Sequence, residues 1–260
     1  MGKKLGQHFL YDDGILSDIV SASGITHEDV VVEIGPGTGS LTKKLLGTAG
    51  RVIAIELDRR LYDRLCEQFP SRSDFNLVHA DAMKFDFSSI TRFKATGNIP
   101  YYITTPLIFR LIEERPRLRS IAFTMQKEVA ERIASPPGNK SYGALSVVIQ
   151  YIASPSVKFI ISKNAFRPPP AVDSAFIVID MLKTPAAVVA NEKIFYKTVK
   201  TAFSQRRKTI LNSLKTLFPS VRDVLSELKI NEMARAETLS VHEFAAIANS
   251  FYNNLKLSDS

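Results

Sequence analysis

Between residues 30 and 182, short apolar runs alternate with longer segments of helical periodicity. Val30-Val31-Val32-Glu33-Ile34 reads as a buried strand, and a helix follows a glycine turn over about Ser40 to Leu46. Arg51–Glu56 predicts a second strand, Arg59–Phe69 a helix and Asn76–His79 a third strand. Phe93–Gly97 is a weaker fourth strand, followed by a helix over Thr105–Glu114. Ile121–Gln126 predicts a fifth strand, and the stretch after it is helical. Strand–helix alternation of this kind implies a doubly wound, mostly parallel sheet. Val157–Ser162 and Ser174–Leu182 are late strands with no helix between them, which predicts an antiparallel hairpin at the sheet's edge.

The pattern changes near Lys183-Thr184-Pro185-Ala186. Beyond it the periodicity is helical throughout. Phe195, Val199, Ala202 and Phe203 recur at helical spacing, and Lys193, Lys197 and Lys200 occupy the opposite face. The expectation is an α/β domain over 1–185 and a small all-helical domain over 186–260.

Composition narrows the setting. The 260 residues are 45% hydrophobic and 23% charged, which suits a globular chain with a sizeable core. The net charge of +8 favours a polyanionic partner without naming one. Cys66 is the single cysteine, and His8, His27, His79 and His242 are scattered, so no metal site is expected. The first residues lack a signal-peptide core and the myristoylation pattern, and no apolar run approaches the ~20 residues of a membrane span. The cytoplasm is the expected compartment, and monomer is the default.

Candidate chemistry begins at Glu33-Ile34-Gly35-Pro36-Gly37-Thr38-Gly39, between the first strand and the first helix. Glycines there let the backbone turn sharply and approach a ligand closely. The spacing is G-x-G-x-G with an acid two residues before the first glycine, not the G-x-G-x-x-G of dinucleotide enzymes. It resembles motif I of the Rossmann-like methyltransferases, whose cofactor, S-adenosylmethionine, carries no phosphates. Glu56 ends the second strand, where a carboxylate can accept both ribose hydroxyls. Asp81, just past the third strand, can accept from the cofactor's adenine amino group, or it can be a helix N-cap. Their neighbours Leu57 and Ala82 join the candidate cofactor contacts.

Asn98-Ile99-Pro100-Tyr101 follows the fourth strand and is the most specific signal in the chain. The exocyclic nitrogen of adenine is a poor nucleophile, because its lone pair is delocalised into the ring. The Asn98 oxygen can accept one of its N–H bonds and the Ile99 carbonyl the other. Pro100 stiffens the loop, and Tyr101 offers a face for stacking. Transfer would then be an in-line displacement driven by positioning in a preorganised polar site. A turn asparagine before a Pro-Tyr loop is the structural alternative.

Three further segments complete a resemblance: Leu5-Gly6-Gln7-His8-Phe9-Leu10, Phe166-Arg167-Pro168-Pro169-Pro170-Ala171-Val172-Asp173-Ser174, and Ala202-Phe203-Ser204-Gln205-Arg206-Arg207-Lys208. With these the chain resembles, over nearly its whole length, the KsgA family of small-subunit (16S) ribosomal RNA adenine N6-dimethyltransferases. The resemblance implies a Rossmann-like class I methyltransferase fold and cofactor contacts from His8 and Leu10 alongside Gly35, Gly37, Gly39, Glu56, Asp81 and Asn98. Family members often carry Asn where His8 stands. It implies that Phe166 helps hold the flipped adenine beside or opposite Tyr101. The implied substrate is a pair of adjacent adenosines in the 3′-terminal hairpin loop of 16S rRNA within the immature small subunit, with a part in its assembly.

The residues themselves agree in part. The prolines after Phe166 make a stiff arm that can hold an aromatic ring, or a rigid connector with Phe166 in the core. Arg206, Arg207 and Lys208, with Lys197 and Lys200, can grip phosphates or form a solvated face. Hairpin-loop adenosines are partly unstacked, so flipping one costs little. An Erm-type enzyme acting on 23S rRNA and a non-catalytic RNA-binding assembly factor are the competing readings.

Overall fold

In the computed structural model, which describes residues 8–205 and 207–258, a short strand β1 (Phe9–Leu10) precedes helix α1 (Asp13–Ala22). The Asp12 carboxylate accepts the Ile15 N–H at 2.9 Å and starts that helix. Leu16, Ile19 and Val20 form its buried stripe. The alternation read from the sequence follows: β2 (Val30–Ile34), α2 (Ser40–Leu45), β3 (Arg51–Glu56), α3 (Arg59–Gln68), β4 (Phe75–His79), β5 (Phe93–Asn98), α4 (Thr104–Ile112) and β6 (Leu118–Gln126). Next come α5 (Lys127–Ala134), α6 (Ala144–Ile152), β7 (Ala153–Ile161), β8 (Phe166–Arg167) and β9 (Ser174–Met181). The remaining helices are α7 (Glu192–Phe203), α8 (Ile210–Leu214), α9 (Val221–Glu227) and α10 (Val241–Ser258).

The main sheet has seven strands in the order β4-β3-β2-β5-β6-β9-β7. β2 runs parallel to both β3 and β5, β3 to β4, and β5 to β6. β9 is antiparallel to β6, from Ser120↔Asp180 to Gln126↔Ser174. The expected parallel sheet with antiparallel edge strands is therefore present. The strand order reverses beside β2, and such a switch point opens a crevice at the strands' carboxyl ends. Val31, Val32, Val52, Ala54, Ile121 and Phe123 are all buried within the sheet's layers. Fully burying a side chain of this kind contributes about 1.5–3 kcal/mol. An ion pair such as Arg59–Asp63 is exposed on both sides and screened by water, so apolar burial holds the sheet.

The chain divides into two compact units. One runs through Ala130 and resumes over Ser156–Met181; the other comprises Glu131–Pro155 and continues from Leu182. The boundary expected at 185 therefore misplaces residues 131–155, which group with the helical part. Contacts within that unit explain it. Gln150 donates to the carbonyls of Ile133 and Ser135, and Ala186 N–H donates to the Tyr151 carbonyl at 2.8 Å. The Tyr151 ring lies 4.6 Å from that of Phe195. Among the described residues no helix is long and apolar enough to cross a membrane, and no group of metal-ligating side chains is assembled.

Candidate active site

The carboxyl ends of β2, β3, β4 and β5 open onto one cleft, which Gly35, Glu56, Asp81 and Asn98 line together with Leu10 and Phe166. The sequence-predicted cofactor and acceptor residues are thus brought together, except Gly39, which does not line the cleft and packs against Leu65 and Phe69 instead. Residues from the chain's start and from beyond residue 160 join them because β1 pairs antiparallel with β8, through Phe9↔Arg167 and Leu10↔Phe166.

Gly35, Gly37 and Gly39 have φ of 67°, 59° and 80°, a region that L side chains rarely enter. Each serves a different purpose. A Cβ on Gly35 would meet nothing within 4 Å, so the backbone there faces open cleft; one on Gly37 would lie 2.9 Å from the Phe9 ring. A Cβ on Gly39 would come within 2.7 Å of Phe69 and 2.9 Å of Leu65. The first glycine keeps the floor clear, the second admits β1, and the third lets the turn pack on α3.

The two acids near this turn differ in role. Glu33 is buried beneath it, and its Oε2 accepts from Thr42 Oγ1 at 2.6 Å, tying α2 to β2. Burial pushes the Glu33 carboxyl up to about 8, so it is mainly neutral near pH 7. Glu56 accepts the Gly37 N–H at 3.1 Å through Oε2 and the Asp58 N–H at 2.8 Å through Oε1. Burial raises this carboxyl too, against those backbone N–H bonds. A carboxylate has about four acceptor positions, so Glu56 keeps capacity for two hydroxyls of a ribose. Leu57, beside it, is 52% exposed and forms an apolar lip.

Asp81 Oδ1 accepts the Met83 N–H at 2.9 Å, and its carbonyl accepts the Lys84 N–H. The N-cap alternative is thus half right: Asp81 caps a turn, not a helix. Ala82 is buried against the cleft. Among the described residues lining the cleft there is no Lys or Arg, which suits a ligand without phosphates.

On the acceptor side, Asn98 Nδ2 donates to the His8 carbonyl at 2.6 Å, which leaves Oδ1 as an acceptor. Ile99 N–H donates to the Thr124 carbonyl, while the Ile99 carbonyl has no hydrogen-bond partner among the described residues. The Pro100 carbonyl is occupied by Ile103 N–H and Thr104 Oγ1. The Tyr101 hydroxyl is hydrogen-bonded to Ser174 Oγ at 2.7 Å, and burial raises its pKa. The His8 ring lies 6.0 Å from that of Tyr101, and its Nδ1 is 2.7 Å from the Pro168 carbonyl. A carbonyl only accepts, so Nδ1 carries the proton. His8 lines the cleft as expected, with that ring nitrogen committed to Pro168.

Phe166 also reaches the cleft, but it is only 2% exposed and packs with Leu10, Leu16 and Ile19. It sits in the core, as the structural alternative has it, and also forms part of the cleft wall. In the helical unit, Phe195, Val199 and Ala202 are buried, whereas Lys193, Lys197 and Lys200 are exposed on α7, as the periodicity predicts. Arg207 and Lys208 are exposed; Arg206 lies outside the described residues. Sequence reasoning missed Thr42 and Ser174. A hydroxyl in the first turn of the helix after a cofactor glycine turn, and a serine closing a proline-rich arm, were the available signals.

Comparisons with known proteins agree with this geometry. The family model described as ribosomal RNA adenine dimethylase matches residues 1–253. A Clostridium botulinum protein named ribosomal RNA small subunit methyltransferase A is 42% identical over 260 residues, covering 97% of this chain and 94% of that relative. The crystal structure of a dimethyladenosine transferase from Plasmodium falciparum superposes with a TM-score of 0.81 at 29% identity, covering 95% of this chain and 98% of that one. The structure of the 23S rRNA methyltransferase ErmE shares the fold, with a TM-score of 0.77 at 22% identity over 94% of this chain and 99% of that one. With the glycine turn, the Glu56 carboxylate and the tetrapeptide gathered in one cleft, the chain belongs to the ribosomal RNA adenine dimethylase family.

Proposed function

We propose that this chain uses S-adenosylmethionine to dimethylate N6 of two adjacent adenosines in the 3′-terminal hairpin loop of 16S rRNA. The observation that carries the reading is the pair of acceptors at Asn98 and Ile99. One amide is oriented by His8, and the next carbonyl is unpartnered, both on the cleft that holds Glu56 and Asp81. When bound, the cofactor's sulfonium supplies an electrophilic methyl group and departs as a neutral thioether.

The protein's own residues do the rest. Glu56 takes the ribose hydroxyls, and Asp81 and Ala82 the adenine end, above the open backbone of Gly35. Asn98 Oδ1 and the Ile99 carbonyl accept the two N–H bonds of the target amino group, drawing its lone pair out of the ring and toward the methyl. Tyr101 stacks on the base, with Phe166 behind it. The proton released on methylation passes to solvent, so no side-chain base is needed. Lys197, Lys200, Arg206, Arg207 and Lys208 contact RNA phosphates. The immature small subunit is the natural substrate, the enzyme works as a monomer in the cytoplasm, and binding contributes to subunit assembly.

The test is methyl transfer from labelled cofactor to immature small subunits and, separately, to large-subunit RNA, with mapping of the modified adenosines. Dimethylation of an adjacent pair in small-subunit RNA is expected. Label confined to large-subunit RNA would overturn the assignment.

A further inference from the structure

The segment from Phe166 to Ser174 reaches both working side chains of the tetrapeptide, Asn98 by way of His8 and Tyr101 directly. At its start, β8 pairs with β1, and the Pro168 carbonyl holds His8, whose own carbonyl holds Asn98. At its end, Ser174 opens β9 opposite Gln126 of β6. Its side chain is fully buried, and its Oγ meets the Tyr101 hydroxyl at 2.7 Å. The backbone beneath it is pinned: Asp173 Oδ1 accepts the Lys163 N–H at 3.0 Å, and the Asp173 carbonyl accepts the Lys127 N–H at 3.1 Å.

A buried hydroxyl is costly unless hydrogen-bonded, and Tyr101 is the side chain that satisfies this one. The converse matters more. A tyrosine held only at its backbone keeps freedom about χ1 and a broad χ2. A bond at the far end of the ring, to an atom on a seven-stranded sheet, removes that freedom. Tyr102, the next residue, is 61% exposed, and its hydroxyl has no hydrogen-bond partner among the described residues.

We propose that Ser174 is a positioning residue for methyl transfer, holding the Tyr101 ring at the tilt at which the target base stacks within reach of Asn98. The inference rests on the adenine-methylating reading of the tetrapeptide. Ser174 touches neither substrate nor cofactor; it acts through Tyr101.

A double-mutant cycle tests it. Ser174→Ala, Tyr101→Phe and the double variant are compared in single-turnover transfer to small subunits at saturating cofactor, with cofactor binding measured by calorimetry. Displacing a reacting group by about 1 Å can cost on the order of a hundredfold, and loosening a ring is milder. Each single variant is expected to lose about tenfold in rate with cofactor affinity kept. The double variant is expected to lose no more than either, because both changes remove one bond. Losses that multiply in the double variant would overturn the proposal, as would a wild-type rate in Ser174→Ala. If Ser174→Ala does not fold, Tyr101→Phe deletes the same bond without touching β9, and a wild-type rate there overturns it equally. An inactive wild type would overturn the function reading and this inference with it. An active wild type with unaffected variants would overturn this inference alone.

Discussion

Asn98 Nδ2 donates to the main-chain carbonyl of His8 at 2.6 Å, across 90 residues of chain. An amide that donates from nitrogen must present its oxygen on the other arm of the group. The acceptor that we propose recognises adenine is therefore aimed by a backbone atom of a distant segment, and a side-chain change at residue 8 leaves that atom in place.

Asn98→Ala removes the aimed oxygen. Transfer is expected to fall at least about a hundredfold, the scale seen when one preorganised polar group is deleted from a reaction site. RNA binding should survive. Substantial residual dimethylation in a single-turnover assay would refute the role given to Asn98.

Glu56→Ala acts on the other substrate. Removing this buried acceptor is expected to weaken cofactor binding by at least about 10- to 100-fold, the scale of one hydrogen bond to a charged group at ~1.5–3 kcal/mol. Calorimetry with S-adenosylhomocysteine reads this directly. An affinity within twofold of wild type would mean that the ribose lies elsewhere.

Glu33 predicts a pH effect on stability. Its carboxyl titrates near 4.5 when exposed and near 8 when folded, raised chiefly by burial. The folded state thus binds the proton more tightly. Its contribution is complete below about pH 4.5, declines as pH rises and is gone above about pH 8. Glu33→Gln keeps an acceptor for Thr42 and has no proton to lose. Its melting temperature should fall less than the wild type's between those limits. Parallel curves of melting temperature against pH would sink the idea.

Much of this site is legible because its signals are local. Strand β2 is an apolar run broken only by Glu33, the glycine turn sits directly after it, and Asn98–Tyr101 is contiguous. What cannot be read depends on distant partners. β1 and β8 are two residues each and exist through their mutual pairing. Nothing in the composition of residues 131–155 marks their attachment to the helical unit, which rests on bonds such as Ala186 to Tyr151. β6 starts at Leu118, earlier than Ile121, because Arg119 interrupts the apolar run while its backbone continues in the sheet. Helix α1 is different: Asp12 followed by Leu16, Ile19 and Val20 is a cap with helical spacing, a local signal that lies outside the stretch of strand–helix alternation.

RNA binding should be salt-dependent through the helical unit. Changing Arg206 and Arg207 to Ala is expected to lower affinity and reduce the slope of log affinity against log salt by about 0.7–0.9 for each phosphate no longer neutralised. Titration at several salt concentrations measures it. An unchanged slope would leave those arginines as a solvated surface.

Gly97 precedes the tetrapeptide, and a Cβ there would collide with the Ile34 carbonyl on the neighbouring strand. That neighbour is backbone, so relief requires β5 and β2 to part. Gly97→Ala is expected to cost about 1–3 kcal/mol in chemical denaturation, the range for overpacking, and to reduce transfer beyond the loss of folded protein. Wild-type stability and rate together would show that the strands yield without cost.

The pairing of Phe9 with Arg167 and of Leu10 with Phe166 orders events during synthesis. A nascent chain long enough to include Asn98 already holds the glycine turn, Glu56, Asp81 and the tetrapeptide. Yet the strand that seats residues 9 and 10, and the carbonyl that steadies His8, emerge from the ribosome tens of residues later. Contacts of such long sequence separation form late. The emerging polypeptide carries the glycine turn, both acids and the tetrapeptide for most of its translation, and the strand pairing at the cleft is among the last parts of this unit to be made.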